Sequence, residues 1–132
     1  MADPSAQKST LTWLPARFAI ARLEPGAAVP PWAWEGEFAS VSRSADELSI
    51  VCDETAIPEG IQAEGGWRAL KIAGPMDLSI VGVLASVAAP LSSAGVSLFA
   101  VSTFETDYIL IRERAMHRAE TALRGAGHRI VD

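Results

Sequence analysis

The chain has 132 residues, of which 49% are hydrophobic and 20% are charged. This composition excludes a disordered chain and predicts one ordinary domain, or two very small ones that share a sheet. The formal net charge is -5, and Lys and Arg form no cluster, which argues against nucleic acid and anionic membrane surfaces as partners. The single cysteine, Cys52, excludes an internal disulfide and a cysteine-based metal site, and its apolar neighbours predict a buried thiol.

No segment of the sequence resembles a targeting or membrane-spanning element. The polar start, MADPSAQKST, lacks the pattern of a signal peptide. The longest weakly polar run, from Leu78 to Ala94, is too short and too interrupted by serine and Pro90 to span a bilayer. With a reduced cysteine, these features predict a soluble cytoplasmic protein that binds no membrane.

The first half of the chain predicts short strands after a mobile tail over residues 1–10. Alternating apolar positions predict three strands, Arg17–Glu24, Glu37–Arg43 and Glu47–Asp53. Between the first two, Pro30-Pro31 leads into Trp32-Ala33-Trp34, where a single helical turn is allowed. The segment Glu54–Gly66 is rich in glycine and proline and is interpreted as a connection with room for one irregular turn.

The second half alternates strands with two helices. The strands are predicted over Trp67–Ala73, Ser97–Phe104, Asp107–Arg112 and His128–Val131. The apolar period changes to 3.6 from Leu78 onward and again over Arg114–Ala126, which indicates helices. Asp77 is a natural N-cap of the first helix and Gly95 its natural end. Pro90 conflicts with that helix and predicts a kink or a separate final turn.

The order strand, helix, strand, strand, helix, strand in the second half is typical of a ferredoxin-like unit. The first half repeats the order with both helices shortened. We therefore predict an α+β fold of two tandem ferredoxin-like (βαββαβ) modules, an antiparallel sheet with helices on one face. Residues 11–65 would form a degenerate N-terminal module and residues 66–132 the C-terminal module.

Two segments could bind a small molecule. In the loop Gly74–Ser79, the start of a helix offers unpaired N–H groups to a carboxylate or phosphate; Asp77 would either cap that helix or face a ligand ammonium group. The turn Thr103–Asp107 gathers two hydroxyls, two carboxylates and an aromatic ring, and it is either an ordinary polar turn or the opposite half of the site. In the latter case Asp107 or Glu105 would bind the ammonium group of an amino acid.

Signals for catalysis are weak. Neither His117 nor His128 has a metal-ligand partner at useful spacing, and His117 is expected to face solvent. Ser79 and Ser102 lack the setting of a nucleophile elbow, and no glycine-rich phosphate-binding motif occurs. We expect no catalytic residue, metal or cofactor, and we interpret the four tryptophans as core or interface residues.

The run GVLASVAAPLSSAGVSLFAVST (Gly82–Thr103) resembles the helix-to-strand core of ACT domains, small regulatory modules that bind amino acids. Extended through STFETDYILI (Ser102–Ile111), it is similar to the subgroup that includes the CASTOR arginine sensors and small tandem-ACT proteins of about this length. The likeness is strong over Lys71–Arg129 and weak over residues 1–66. Many ACT domains begin the first helix with Asp-x-x-Gly, whereas here Gly82 stands five positions after Asp77.

The resemblance implies non-catalytic ligand sensing, with sites at interfaces between ACT modules that pair side by side, within a chain or between chains, and we expect a homodimer. Carried onto this sequence, the implied loop positions are Gly74, Met76, Asp77, Leu78, Ser79, Ile80 and Val81. The implied turn positions are Thr103, Phe104, Glu105, Thr106 and Asp107.

Three functions stay open at this point. The first is an amino-acid-binding regulatory protein that controls a separate chain. The second is a ligand-free protein–protein interaction module that uses sheet edges or exposed tryptophans. The third, a small enzyme, would need a convergent acid–base pair in a closed pocket, and the sequence offers none beyond Asp77 with Asp107 or Glu105.

Overall fold

The structure is a computed structural model that describes residues 8–73 and 82–131. Within these residues, strands alternate with helices. The strands are β1 (Thr10–Trp13), β2 (Phe18–Leu23), β3 (Ser40–Arg43), β4 (Leu48–Asp53), β5 (Gln62–Ile72), β6 (Leu98–Ser102), β7 (Asp107–Arg112) and β8 (Arg129–Val131). The α-helices are α1 (Val83–Ser93) and α2 (Met116–Gly125), and 3-10 helices span Pro31–Trp34, Glu54–Ala56 and Glu113–Ala115.

The chain divides into two compact units. We call Met1–Leu14 with Arg68–Asp132 the helical unit and Pro15–Trp67 the inserted unit. The predicted segments 11–65 and 66–132 differ from these units mainly at β1, which belongs to the helical unit. The prediction missed β1 because the strand has only four residues and begins in the polar segment, residues 1–10, that was predicted to be a tail.

The inserted unit has the strand order β3-β4-β2-β5, and each neighbouring pair is antiparallel. This order is that of a ferredoxin-like sheet. Its core cluster consists of residues on one face of the sheet and one residue of the 3-10 helix, namely Ala21, Leu48, Ile50, Cys52 and Ala33. The single helical turn expected after Pro30 is confirmed as the 3-10 helix Pro31–Trp34, with proline in its first turn.

β5 begins at Gln62, five residues before the predicted start. Gly65 and Gly66 suggested a connection, but the strand continues through them with a register shift against β2. Gly66 has a φ of +79°, and its N–H donates to Glu54 Oε1 at 2.9 Å. A methyl group on Gly65 would lie 2.7 Å from the same carboxylate oxygen, so glycine here lets the Glu54 side chain close this bulge.

In the helical unit, β1 lies between β8 and β5 and is parallel to β8 and antiparallel to β5. β7 pairs with β5 and β6, and β6 with β7 is antiparallel. The sheet is therefore mixed, and the prediction of a wholly antiparallel sheet is wrong at the β1–β8 pair. The physical reason is the unpredicted β1, which occupies the place where the last strand would otherwise pair with β5.

The core of the helical unit lies where α1 and α2 pack on this sheet. It combines strand residues such as Leu70, Ile109 and Ile111 with helix residues such as Val87 and Leu123, all of them fully buried. Within the described residues, the apolar stripes predicted for the two helices are confirmed, whereas Ile80 and Val81 of the first stripe lie outside them. In the part of the chain that the structure describes, no helix has the length and apolar character needed to cross a membrane.

Pro90 lies inside α1, which continues to Ser93, so the predicted alternative of a separate final turn is wrong. Because proline has no N–H, the carbonyl of Ser86, four residues earlier, lacks its helical partner. His128 Nε2 lies 2.7 Å from that oxygen, and His128 Nδ1 accepts a hydrogen bond from the Ser9 N–H at 3.1 Å. Since Ser9 N–H can only donate and the carbonyl can only accept, the proton is assigned to Nε2 of a neutral ring.

α1 begins at Val83, later than the predicted Leu78, with Gly82 at its N-cap and a φ of +90° there. No side chain caps this end of the helix as described. The predicted cap, Asp77, lies outside the described residues. The predicted end at Gly95 is confirmed: Gly95 has a φ of +73°, and the Val96 N–H returns to the Leu91 carbonyl at 2.9 Å.

Candidate functional site

The turn between β6 and β7 is closed by Thr103 and Thr106. The Thr103 N–H donates to the Thr106 carbonyl at 2.8 Å, and the Thr103 hydroxyl donates to the same oxygen at 3.1 Å. In return, the Thr106 N–H donates to Thr103 Oγ1 at 3.3 Å. The tight turn predicted here is confirmed, and these three contacts give it a defined shape.

Thr106 attaches this turn to the end of β5. Its side chain is 3% exposed, and its hydroxyl donates to the Ile72 carbonyl at 2.6 Å. Ile72 is the last residue of β5, two positions before the predicted ligand loop begins at Gly74. The turn therefore lies beside the end of β5.

Asp107 is a buried carboxylate at the first position of β7, with 7% of its surface exposed. It pairs with Ser102 across the hairpin, and the Ser102 hydroxyl donates to its Oδ1. By strand alternation, Asp107 shares a face with Ile109 and Ile111, whose side chains belong to the core beneath the helices. The carboxylate thus points to the helix side of the sheet and is held by a neutral donor.

Glu105 and Phe104 occupy the tip of the turn and face away from the core. Phe104 is 82% exposed, and Glu105 is also exposed. The sequence left open whether Asp107 or Glu105 would bind an ammonium group. The structure separates them, because Asp107 is buried and positioned by Ser102 whereas Glu105 is at the surface.

The other half of the predicted site is the loop between β5 and α1. The loop positions Gly74, Met76, Asp77, Leu78, Ser79, Ile80 and Val81 lie outside the described residues. The described neighbours are Ala73, whose N–H donates to the Thr10 carbonyl at 2.8 Å, and Gly82 at the start of α1.

The other residues considered for chemistry are Cys52 and the two histidines. Cys52 is buried, as predicted, and burial together with the neighbouring Asp53 raises the pKa of its thiol from 9.0 to about 11. His117 is exposed, as predicted, while His128 is buried and supports α1. Over residues 8–73 and 82–131, no group of three or more His, Cys, Asp and Glu side chains could hold a metal ion.

The sequence reasoning missed two contacts of this turn, one made by Ser102 and one made by Thr106. Ser102 was considered as a nucleophile and rejected, yet its hydroxyl positions Asp107. The signal was present: the two residues flank a four-residue turn, so they face each other across the hairpin. Thr106 was chosen as a turn residue, but its bond to β5 depends on a strand 34 positions away and left no local pattern.

Comparisons with known proteins match both parts of the chain. The model of the ACT domain family matches residues 62–125, and a family model of an N-terminal domain matches residues 16–60. The bovine (Bos taurus) protein named cytosolic arginine sensor for mTORC1 subunit 1 is 29% identical over 59% of this chain. The chain spans about a quarter of the length of that relative, 27%.

Solved structures share the fold. A crystal structure of a protein from Agrobacterium tumefaciens is 38% identical, with a TM-score of 0.90 over 95% of this chain and 93% of that chain. The regulatory subunit of aspartate kinase from Thermus flavus has a TM-score of 0.63 at 12% identity, over 91% of this chain and 99% of that one. The second likeness concerns the fold alone.

The family match, the sensor relative and the shared α+β fold agree with the resemblance carried by STFETDYILI. Residues 62–125 therefore belong to the ACT-domain family.

Proposed function

We propose that this chain is a non-catalytic regulatory protein that binds a free amino acid through the turn Thr103–Asp107 and the loop Gly74–Val81. The proposal depends chiefly on one observation. Asp107 is a buried carboxylate held by a hydroxyl, in a turn that Thr106 attaches to the strand leading into the loop. A carboxylate in such a setting is suited to accept charge-assisted hydrogen bonds from an ammonium group.

The roles divide by charge. The Asp107 carboxylate accepts hydrogen bonds from the ligand ammonium group, and backbone N–H groups of the loop donate to the ligand carboxylate. Thr103 and Thr106 hold the turn in shape, so the ligand does not need to order it on binding. Glu105 and Phe104, at the exposed tip, contact the distal part of the ligand side chain or the molecule that the chain regulates.

The family membership supports this role, and so do the names of its relatives. The bovine relative is named as an arginine sensor, and the Thermus flavus protein as a regulatory subunit. We extend to this chain the general function, ligand-dependent regulation in the cytoplasm, and leave the side chain of the ligand to experiment. The two units would then be two ACT-like modules in tandem, the inserted unit being a degenerate one.

A homodimer is part of the proposal. Among the described residues, β6 pairs with β7 along one edge, and its sequence LFAVS has no charged residue, proline or glycine. A strand edge without such features is prone to pair with another strand. We expect a dimer in solution, and Val101→Lys, which places a charge on this strand, to shift it toward the monomer in light scattering after gel filtration.

A thermal-shift screen of the twenty amino acids tests the binding function. A ligand at a hundred times its dissociation constant adds roughly 2.7 kcal/mol to the free energy of unfolding. Asp107→Asn should abolish the shift, because the amide still accepts from Ser102 but no longer attracts an ammonium group. Glu105→Gln, in the same turn but exposed, is the matched control and should keep it. The absence of a shift with any amino acid at millimolar concentration would contradict the proposal.

A ligand-free interaction module is the second candidate, and two exposed aromatic side chains favour it. Phe104 is 82% exposed and Trp34 is 60% exposed. Exposed large aromatics are frequent at protein interfaces. This candidate predicts that Phe104→Ser or Trp34→Ser abolishes binding of a purified partner, while no amino acid changes the thermal midpoint.

A further inference from the structure

A cleft of about 400 Å³ opens in the inserted unit, and no residue of the turn Thr103–Asp107 contributes to it. Its lining residues come from the two 3-10 helices and the chain beside them: Trp32, Glu35, Gly36, Asp53, Thr55 and Ala56. The volume lies within the range of small-molecule sites. The chemistry of the lining residues decides which class of ligand the cleft favours.

The Asp53 side chain is fixed by hydrogen bonds to one of its two carboxylate oxygens. Its Oδ1 accepts hydrogen bonds from the Thr55 N–H at 2.9 Å and the Thr55 hydroxyl at 2.7 Å. Gly36 faces the other side of this carboxylate: a methyl group there would lie 3.1 Å from Asp53 Cβ and 3.7 Å from Oδ2. Glycine permits the φ of +99° at this position, and it avoids the close contact that a side chain would make with Asp53 in the cleft.

The other walls suit a cation as well. Glu35 is the C-cap residue of the helix Pro31–Trp34, where its N–H donates to the Trp32 carbonyl at 3.2 Å, and it adds a second carboxylate. Trp32 supplies an indole, the side chain with the strongest attraction for a cation over its ring face. Thr55 and Ala56 complete the cleft without adding a charge.

The charge of the whole unit favours the same ligand. Residues 15–67 contain three Arg, no Lys and nine Asp or Glu, a formal charge of -6, whereas the remaining residues together carry +1. The acidity of the chain is thus concentrated in the unit that contains the cleft. Such a field raises the local concentration of cations and disfavours anions, most strongly at low salt.

We propose that this cleft binds a small organic cation, a primary amine or a guanidinium compound that carries no carboxylate of its own. The carboxylates of Glu35 and Asp53 accept its N–H groups, and the Trp32 indole packs on its charged end. The cleft differs in ligand class from the proposed amino-acid site, since a zwitterion would bring its own carboxylate into an acidic environment.

The test is a titration of the whole chain with agmatine, followed by the indole N–H resonances in NMR spectra, with 1-butanol as a neutral compound. Among the indole resonances of the four tryptophans, the variants Trp32→Phe and Trp34→Phe identify those of Trp32 and Trp34. We expect agmatine to shift the Trp32 resonance saturably below about 10 mM. Butanol should leave it unchanged.

Two double variants are compared. The first pair, Glu35→Gln with Asp53→Asn, alters the cleft, and the second pair, Glu37→Gln with Glu59→Gln, alters residues outside its lining and is the control. The amide oxygen introduced by Asp53→Asn would still accept from Thr55, so the first pair removes charge and keeps the turn; Glu35→Gln alone serves if the pair fails to fold. The first pair should weaken agmatine binding roughly tenfold or more and the second less than about twofold. Equal losses in both pairs, no saturation, or an equal response to butanol would overturn the proposal.

Asp107→Asn distinguishes this site from the amino-acid site. It should leave the agmatine titration unchanged, whatever its effect on amino-acid binding. A loss of agmatine binding in Asp107→Asn would place the cation at the turn and overturn the assignment to the cleft.

Discussion

The helical unit and the inserted unit arrange their strands in related orders but cover their sheets differently. In the helical unit, two α-helices place side chains such as Val87 and Leu123 on the sheet. In the inserted unit, the 3-10 helix Pro31–Trp34 contributes Ala33 to the core, and half-buried residues from neighbouring segments complete the cover. A related strand order therefore supports a core under two α-helices in one unit, and in the other a core under a 3-10 helix and half-buried segments, with a cleft beside that helix.

The two units also differ in charge and in the carboxylates they expose. The helical unit buries Asp107 beside a neutral hydroxyl, whereas the inserted unit places Glu35 and Asp53 along an open cleft. A buried carboxylate selects its partner by geometry, while an open acidic surface attracts cations over a longer range. The comparison suggests two ligand classes in one short chain.

A matched pair of isoleucines tests the difference in packing, with the largest expected effect. Ile109 and Ile50 are both 0% exposed, one in each core cluster. We expect Ile109→Ala to cost about 4 kcal/mol of unfolding free energy and Ile50→Ala about 2 kcal/mol. The cost at Ile50 is smaller because the half-buried residues packed against its cluster can move into the lost volume more easily. Urea denaturation measures both, and equal costs would contradict the comparison.

His128 and Pro90 test how the helical unit tolerates a proline in α1. His128→Ala leaves the Ser86 carbonyl and the Ser9 N–H without their partners, so we expect a loss of about 3 kcal/mol. In that background Pro90→Ala restores an N–H for the Ser86 carbonyl and should recover about 1 kcal/mol. Pro90→Ala in the wild-type background is the control, and the same gain in both backgrounds would argue against the pairing.

Cys52 tests the burial of the inserted core through pH. Its folded-state pKa of about 11 lies above the ordinary value of 9.0, so below pH 9 the thiol is protonated in both states and its contribution is complete. As the pH rises from 9 toward 11, the unfolded chain releases the proton first, and stability falls by up to about 1.4 kcal/mol per pH unit. The difference in unfolding free energy between wild type and Cys52→Ala reports this loss, and a difference independent of pH would contradict it.

Two single hydrogen bonds give the smallest expected effects, one in each unit. The Trp13 indole N–H donates to Glu120 Oε2 at 3.0 Å in the helical unit, and the Gly66 N–H donates to Glu54 Oε1 at 2.9 Å in the inserted unit. We expect Glu120→Ala and Glu54→Ala each to cost about 1 kcal/mol in urea denaturation. A cost above that of the isoleucine variants would show that polar contacts, and not packing, dominate one of the units.

Local patterns predicted most of the elements. β4 and β7 each carry a short apolar run between polar turns, and α2 has a regular apolar stripe, so each was recognisable without tertiary information. β1 was not, because its four residues become a strand through pairing with β5 and β8, which are distant in the sequence. How α1 accommodates Pro90 was not predictable for the same reason, since the donor to the Ser86 carbonyl is the distant His128.

The candidate site was predictable in composition but not in geometry. The cluster of hydroxyls and carboxylates at Thr103–Asp107 is visible in the sequence. Asp107 is buried because it shares the core face of β7 with Ile109 and Ile111, whereas Glu105 is exposed because it lies in the turn, outside both strands; neither follows until the bounds of β7 are known. The cleft at Trp32 was invisible, because its walls come from two short helices about 20 residues apart that the sheet brings together.

The most direct test of the central claim is a calorimetric comparison of two ligands with two proteins. The ligands are the amino acid with the largest thermal shift and its 2-hydroxy acid analogue, which lacks the ammonium group; the proteins are wild type and Asp107→Asn. We predict that the wild type prefers the amino acid by roughly tenfold or more and that Asp107→Asn loses this preference. An equal preference in both proteins would show that Asp107 does not bind the ammonium group and would contradict the account.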